Sequence, residues 1–338
     1  MKIIILSIVL FGLIAISIYI FYWLYTIVFM PRLSREHEMK LHNFDIDFFN
    51  TELKYYYADF TLCILAKPHC LDIENVFKIG SSTESEANYN IAGICEFALI
   101  NLEKYYNTKD EKYLNLFLSN IKWLESNAVI NSETAYWYYT YEMGEYSGNK
   151  WASSISQGMA ASVMTRAYVL LKEEKYLDLA IKAVNTILTP VHQGGFKYSY
   201  DTFKCFYEES GTNSHILNGH IYAMLGIYDV YRLTKNDKYL KAFEDAASDI
   251  KNNIRFFDLG FASTYDTRER IIANNSYHIV NTNLIYILAK ITKDVFFEDL
   301  YKRWNKIFAS KKIKLYACFH TVLYVIRAKI EDKHLKNY

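Results

Sequence analysis

The sequence predicts an all-α protein, an (α/α) barrel of about four helical hairpins preceded by one transmembrane helix, and three observations point there. Only 12 Gly and 3 Pro occur in 338 residues, too few for a sandwich of short strands joined by tight turns. The triplets Lys112-Tyr113-Leu114, Lys175-Tyr176-Leu177 and Lys238-Tyr239-Leu240 recur with their tyrosines 63 residues apart, which marks a repeated supersecondary unit. Residues 3–30 carry no charged side chain, a longer run than the roughly 20 helical residues that cross a bilayer.

Residues 1–34 therefore read as a retained single-pass anchor, because Tyr19, Tyr22, Trp23 and Tyr25 near its far end resemble an interfacial aromatic belt rather than a cleavage site. Lys2 on one side and Arg32, Arg35 and Lys40 on the other slightly favour a cytoplasmic location for the larger part; sidedness is left open. Residues 35–84, with mixed charge and Tyr55, Tyr56 and Tyr57, show no sustained period and read as a stalk and cap. Residues 85–338 form the helical domain. Gly93, Gly158 and Gly219 open the first helix of each hairpin about 20 residues before the Lys-Tyr-Leu triplet. Leu177, Ala180, Ile181, Val184, Ile187 and Leu188 make one apolar face of a second helix, and Ile221, Met224, Leu225 and Tyr228 do so on a first helix. A weaker fourth copy runs from Asn281 through Phe296 and Phe297 to Ile307. The surplus over ordinary helical repeats falls in return loops at 125–157, 189–218 and 252–280. Loops gathered at one end of a toroid are where a site is built; an open helical stack is the alternative.

Lys plus Arg total 38 against 37 Asp plus Glu, so there is no basic field to recruit nucleic acid. Cys63, Cys70, Cys95, Cys205 and Cys318 are an odd set without a CxxC pair, which predicts neither a disulfide framework nor a zinc cluster. With no HExxH, GxSxG or nucleotide-binding glycine motif, no metal or other cofactor is expected. The return loops carry Trp137, Tyr138, Tyr139, Tyr141, Trp151 and Gln157, then Tyr198, Tyr200, Tyr207, Glu208 and Glu209, then Tyr265, Asp266, Arg268, Tyr277 and His278. Aromatics with a few carboxylates and an arginine suit a sugar, whose apolar faces stack while its hydroxyls seek hydrogen bonds. With 31 Tyr in the chain, no single one decides. Glu208-Glu209 reads as a pair whose repulsion raises one pKa or as a solvated pair. Arg268 reads as a carboxylate clamp or as a partner of Asp266 or Glu269.

Several of these residues fall into a known order. Trp151 to Gln157-Gly158, followed by Ser162 and Arg166-Ala167-Tyr168, then Tyr207-Glu208-Glu209, Leu217-Asn218-Gly219, Gly226-Ile227-Tyr228-Asp229, Tyr265-Asp266-Thr267-Arg268 and Tyr277-His278 resemble the motif series of the D-glucuronyl C5-epimerase C-terminal domain family. The resemblance covers roughly residues 85 to 310. It implies an α/α barrel that binds a glucuronate-containing, heparosan-like polysaccharide and inverts carbon 5 to give iduronate, anchored by one amino-terminal helix. It implies Glu209, Tyr277 and Tyr265 as catalytic residues and Arg268, Gln157, Tyr207, Asn218 and His278 as substrate-binding residues. Two features depart from the family. Ser210-Gly211 stands where the family has Tyr-Pro after its glutamate pair, and the chain is too short for the β-rich regions that precede the helical domain in the animal members.

These residue types suit the reaction. Removing the carbon 5 proton next to a carboxylate requires that charge to be neutralised, which a bidentate arginine does. Inversion requires a base on one ring face and an acid on the other. A phenol is a proton donor at neutral pH, so the expectation is Glu209 as forward base and Tyr277 as acid, with Arg268 on the carboxylate. Expulsion of the carbon 4 oxygen from the same carbanion would make the protein a polysaccharide lyase, and loss of turnover would leave a glycan-binding homologue. Sulfation of the substrate and homodimer formation are left open.

Overall fold

The computed structural model describes residues 2–24, 39–42, 44, 48, 52–65, 67–141, 150–200, 202–207, 215–268, 272–273, 275–317, 319–320, 323 and 327. Eight helices form four antiparallel hairpins: α3 (Ile91–Thr108) with α4 (Glu111–Asn127), α5 (Ser154–Leu171) with α6 (Glu174–Leu188), α7 (Leu217–Thr234) with α8 (Asp237–Asn253), and α9 (Asn275–Thr292) with α10 (Val295–Ala309). The first helices, α3, α5, α7 and α9, pack side by side as an inner layer, and their partners lie outside them.

The 63-residue repeat resides in the hairpin turns. Each inner helix ends on a lysine in the left-handed region, Lys109, Lys172, Lys235 and Lys293, whose amide donates to the carbonyl of Tyr105, Tyr168, Tyr231 or Ala289. The first three are again 63 residues apart. A non-glycine residue there costs about 1–2 kcal/mol, offset because the cap satisfies a helix-end carbonyl. The next residue starts the outer helix, and the side chains of Asp110, Asn236 and Asp294 accept the first-turn amides of Lys112, Lys238 and Phe296.

Two glycines set the spacing of the inner layer. A Cβ on Gly158 would lie 2.4 Å from the Tyr222 carbonyl oxygen, and one on Gly226 would lie 2.4 Å from the Gly158 carbonyl oxygen. Only hydrogen fits where α5 and α7 meet. The early part of α5 thus meets the early part of α7, so these inner helices run parallel.

The stretch expected to be a stalk and cap is more deeply integrated. The described residues between Met39 and Leu65 form a plug along the inner helices. It contains an antiparallel ribbon of β1 (Lys40–Leu41) and β2 (Ala58–Asp59), followed by α2 (Thr61–Leu65). Asn283 of α9 donates to the Met39 carbonyl at 2.8 Å, and Tyr55 donates to Asn107 of α3 at 3.0 Å. The strongest tie is ionic and fully buried. Asp229 of α7 accepts from the Tyr57 hydroxyl at 2.7 Å, from Arg166 of α5 at 2.7 Å and from Arg232 at 3.3 Å. The same guanidiniums reach back to the plug, Arg166 to the Tyr55 carbonyl at 2.9 Å and Arg232 to that of Phe48 at 2.8 Å.

Three further ribbons were not expected: β3 (His69–Leu71) with β4 (Phe77–Ile79), β5 (Val129–Ile130) with β6 (Ala135–Tyr136), and β7 (Lys197–Tyr200) with β8 (Phe203–Tyr207). The last two organise return loops, which is how an α-helical chain holds long connections without leaving their backbones unpaired. The fourth hairpin starts at Asn275 rather than at Asn281.

At the amino terminus α1 runs Lys2–Leu24. Its side chains from Leu10 to Ile20 are exposed, while Phe21 packs against a small cluster of Ala262, Ile307 and Ala317. No helix among the described residues is long and apolar enough to cross a membrane.

Removing the Asp229 charge leaves two buried guanidiniums uncompensated. D229N is expected to destabilise the fold by about 3–5 kcal/mol, measured by urea unfolding. G158A, which forces α5 off α7, is expected to cost at least about 1–3 kcal/mol.

Candidate active site

The amino-terminal ends of the inner helices and the three return loops share one end of the hairpin stack, and the Asp229 cluster ties the plug down near the other. The mouth is lined by rings. Tyr139 stacks on Trp151 with centroids 4.0 Å apart. The Tyr139 hydroxyl meets Ser156 Oγ at 2.6 Å, and Asn90, which caps α3, donates to the Tyr141 hydroxyl at 2.6 Å. The first loop is thereby pinned over the starts of α3 and α5. Tyr139 lies wholly inside, so burial pushes its phenol far above the ordinary value and it is a neutral packing group.

Tyr265 and Tyr277 meet at this end of the stack, and Arg268 follows three residues after Tyr265 on the same loop. The Tyr265 and Tyr277 rings lie 4.6 Å apart and tilted by 59°, with Tyr277 38% exposed. Asp266 orients Arg268 by accepting from its amide at 3.0 Å and from Nε at 3.1 Å, and the arginine side chain remains 52% exposed. Asp266 is itself held in a bridge to Ile216 at the start of α7, so the arginine projects from a braced loop. Asn218 is the second residue of α7, on the helix face that Tyr222 and Asp229 share at four- and eleven-residue spacing. It is buried, and its Nδ2 has no hydrogen-bond partner among the described residues. Glu209 lies outside the described residues, as do Glu208, Ser210 and Gly211.

Three expected ligand residues are turned away from the mouth. Gln157 is nine residues from Arg166, which places it on the opposite face of α5 from the plug-facing guanidinium. It is fully buried, and its Nε2 reaches the Trp137 carbonyl at 3.4 Å, while the Trp137 indole donates to Leu124 of the outer helix α4. Tyr207, also fully buried, donates its hydroxyl to the Ala242 carbonyl of α8 at 3.0 Å; burial pushes its phenol well above the ordinary value. His278 lies inside the hairpin on Phe308, its Nδ1 accepting the Ser263 amide at 3.1 Å. In these contacts all three pack into the wall, with Gln157 Oε1 and His278 Nε2 left without a hydrogen-bond partner among the described residues. The long polar loops drew them into the expected site, whereas Gln157 and His278 are in first turns of helices whose outward faces must be buried.

Residues not singled out from the sequence include the Asp229 cluster and Glu96 of α3. The signal for the first was a charge inside an otherwise apolar inner helix, since Arg166 and Asp229 can remain buried only if paired. Among the described residues no three His, Cys, Asp or Glu side chains could hold a metal ion.

Comparison with known proteins now bears on the chain. The family described as D-glucuronyl C5-epimerase C-terminus matches residues 130–306, just over half of the sequence. The chain belongs to this family. Its similarity to the D-glucuronyl C5-epimerase of Caenorhabditis elegans is 29% identity over 184 residues, 48% of this chain and 30% of that protein. An uncharacterised protein of Methanocaldococcus jannaschii is 28% identical over 225 residues, 60% of this chain and 72% of its own length. Among solved structures, a glycoside hydrolase family 76 α-mannanase of Bacteroides thetaiotaomicron aligns with a TM-score of 0.51 at 13% identity, covering 72% of this chain and 65% of that one. That likeness concerns the fold alone and supports a toroid of α/α hairpins. The chain spans less than a third of the nematode enzyme's length.

The wall also predicts acid sensitivity. His220, stacked on Phe206 and accepting the Tyr207 amide at Nδ1 at 3.0 Å, is held down to about 3 by burial. The unfolded chain binds a proton at this residue near pH 6.5, while the folded one does not until about pH 3. Stability therefore falls as pH drops below about 6.5 and continues to fall towards about 3. H220N, which keeps an acceptor for Tyr207 but cannot titrate, is expected to flatten that limb in urea unfolding between pH 4.5 and 7.

Proposed function

We propose that the protein is a uronate epimerase that inverts carbon 5 of D-glucuronate to L-iduronate within a heparosan-like polysaccharide. The observation that carries this reading is the family match over residues 130–306 together with the braced Arg268 beside the Tyr265–Tyr277 ring pair. Arg268 takes the sugar carboxylate. With Asp266 holding Nε, the guanidinium is already aimed, so little side-chain freedom is lost when the sugar binds. Neutralising the carboxylate lets charge move onto its oxygens as the carbon 5 proton leaves, the step at which fixed positive charge has most effect. Glu209 is assigned as base and Tyr277 as the acid that returns a proton to the opposite face; the roles exchange in the reverse direction. Tyr265 packs on Tyr277 and keeps its ring upright, and Asn218 offers its amide to a sugar oxygen. No electrons are transferred, so the reaction as assigned calls for no redox partner.

The amino-terminal helix belongs to the same reading as a lipid-facing anchor, with exposed Leu10, Phe11, Leu13 and Ile18; retention of the expressed chain in the membrane pellet after carbonate extraction checks this.

In deuterated water with a glucuronate polymer, the protein is expected to place deuterium at carbon 5 and to produce iduronate signals by NMR. E209Q and Y277F are each expected to lower incorporation at least about 100-fold, the usual scale of one acid or base. R268L is expected to raise KM and lower kcat together. A product absorbing in the near ultraviolet would instead identify a lyase, and tight polymer binding without isotope exchange would identify a glycan-binding homologue.

A further inference from the structure

Along α3, Ala92, Glu96 and Glu103 follow one another at four- and seven-residue spacing and share a face. These three are partly exposed, whereas Gly93, Ile94, Cys95, Phe97, Ala98, Leu99 and Ile100 between them are buried. Two contacts show what this face looks upon. The Ala92 amide meets the Tyr139 hydroxyl at 3.4 Å at the mouth, and Glu103 pairs with His42 of the plug at 3.1 Å. Glu96 thus lies on the inner face, two turns from the His42–Glu103 pair and about one turn below the mouth. Among the described residues nothing donates a hydrogen bond to its carboxyl group. Tyr56 of the plug, whose buried hydroxyl also has no hydrogen-bond partner among the described residues, lies within reach of the Glu96 charge, so that an ionised Glu96 pushes the phenol up on top of the larger effect of burial. Two oxygen-bearing groups with unused hydrogen-bonding capacity on the inner side of the hairpin stack are what a polar ligand would satisfy.

We propose that Glu96 is a substrate-binding residue that meets the bound uronate as a neutral carboxylic acid, donating a hydrogen bond to a sugar oxygen, so that glycan binding is coupled to uptake of one proton. The proposal rests on the epimerase reading for the identity of the sugar.

The surroundings favour that protonation state. Burial pushes the Glu96 carboxyl up to about 7, with Lys67, in the stretch after α2, opposing the rise. The other groups facing it are the Tyr56 phenol from the plug and the Cys95 thiol on its own helix, both held neutral by burial. Arg166 of α5 lies over the far side of the Tyr56 ring, 5.1 Å from its centroid, and is committed to Asp229. An incoming uronate brings a negative charge, which further disfavours an ionised Glu96. The sugar therefore binds to the protonated form, and an ionised Glu96 takes one proton from solvent on binding. Glu103 differs because His42 lies 3.1 Å from its carboxylate.

The test is calorimetric titration of the full chain with a heparosan oligosaccharide between pH 6 and 8, in buffers of different ionisation enthalpy, alongside NMR titration of labelled glutamate carboxyl carbons. If only the neutral form binds, affinity scales with its population and falls about tenfold from pH 6 to pH 8, with proton uptake visible as buffer-dependent heat. E96Q, whose amide keeps a donor and cannot ionise, is expected to bind with less than about twofold change over that range. It should also lack the carboxyl signal that titrates near neutrality in the wild type. E103Q is expected to keep the wild-type pH dependence, and thermal melts verify that each variant is folded. If wild type and E96Q bind the oligosaccharide with the same pH dependence, the role of Glu96 is overturned while the epimerase reading stands. If the wild type neither binds the oligosaccharide nor exchanges the carbon 5 proton, both are overturned. A carboxyl signal near neutrality that E96Q retains also overturns the proposal.

Discussion

The buried carboxylate of Asp229 is the point on which the architecture turns. One acceptor group from α7 takes a phenol from the plug and two guanidiniums from the inner helices. Each guanidinium is also hydrogen-bonded to a plug carbonyl. The arrangement leaves one excess positive charge, and it is tolerated partly because Arg232 sits in the last turn of α7, where the helix dipole is negative. Such a cluster adds little net stability over a well-packed apolar one; what it specifies is registry. The plug can satisfy Asp229 in one position only, and that position fixes where its residues lie along the inner helices. The site is therefore built from two sides: loops define its rim, and a segment more than a hundred residues earlier defines its floor.

This explains why the two halves of the structure were unequally legible. The hairpins follow from local chemistry: apolar periodicity, a polar cap after each turn, and a lysine whose backbone completes the helix end. The lysines of the first three hairpins recur every 63 residues and that of the fourth follows after 58, so each copy corroborates the others. The plug has no period because it has no repeated neighbour. Its residues are shaped by four different helices, and contacts such as Tyr57 to Asp229 span 172 positions. Nothing in the order of residues 39–65 announces which side chain will meet which helix.

The candidate site divides along the same line. Tyr265, Arg268 and Tyr277 could be picked out by residue type, and the structure sets the rings of Tyr265 and Tyr277 4.6 Å apart with Arg268 braced on Asp266. Gln157, Tyr207 and His278 could not be separated from them by type, since an amide, a phenol and an imidazole serve equally well as ligands or as wall. Direction separates them. Once Arg166 is known to face the plug, helical spacing alone sends Gln157 to the opposite side, and the Ala242 carbonyl does the same for the Tyr207 hydroxyl. The family pattern in α5 and α7 is thus largely architectural: Gly158 and Gly226 allow the close approach, and Arg166 and Asp229 bolt the plug.

The division of charge follows from that geometry. In the proposed reading Arg268 takes the sugar carboxylate, and a second ionised group near the sugar would oppose the charge that the arginine attracts. A carboxyl group there is compatible with a uronate only if it carries its proton, and the desolvation that raises Glu96 to about 7 keeps that form populated near neutrality. Tyr56 is the neighbour of Tyr57 in the plug, so the segment that the Asp229 cluster holds in place also carries the phenol that an ionised Glu96 would raise.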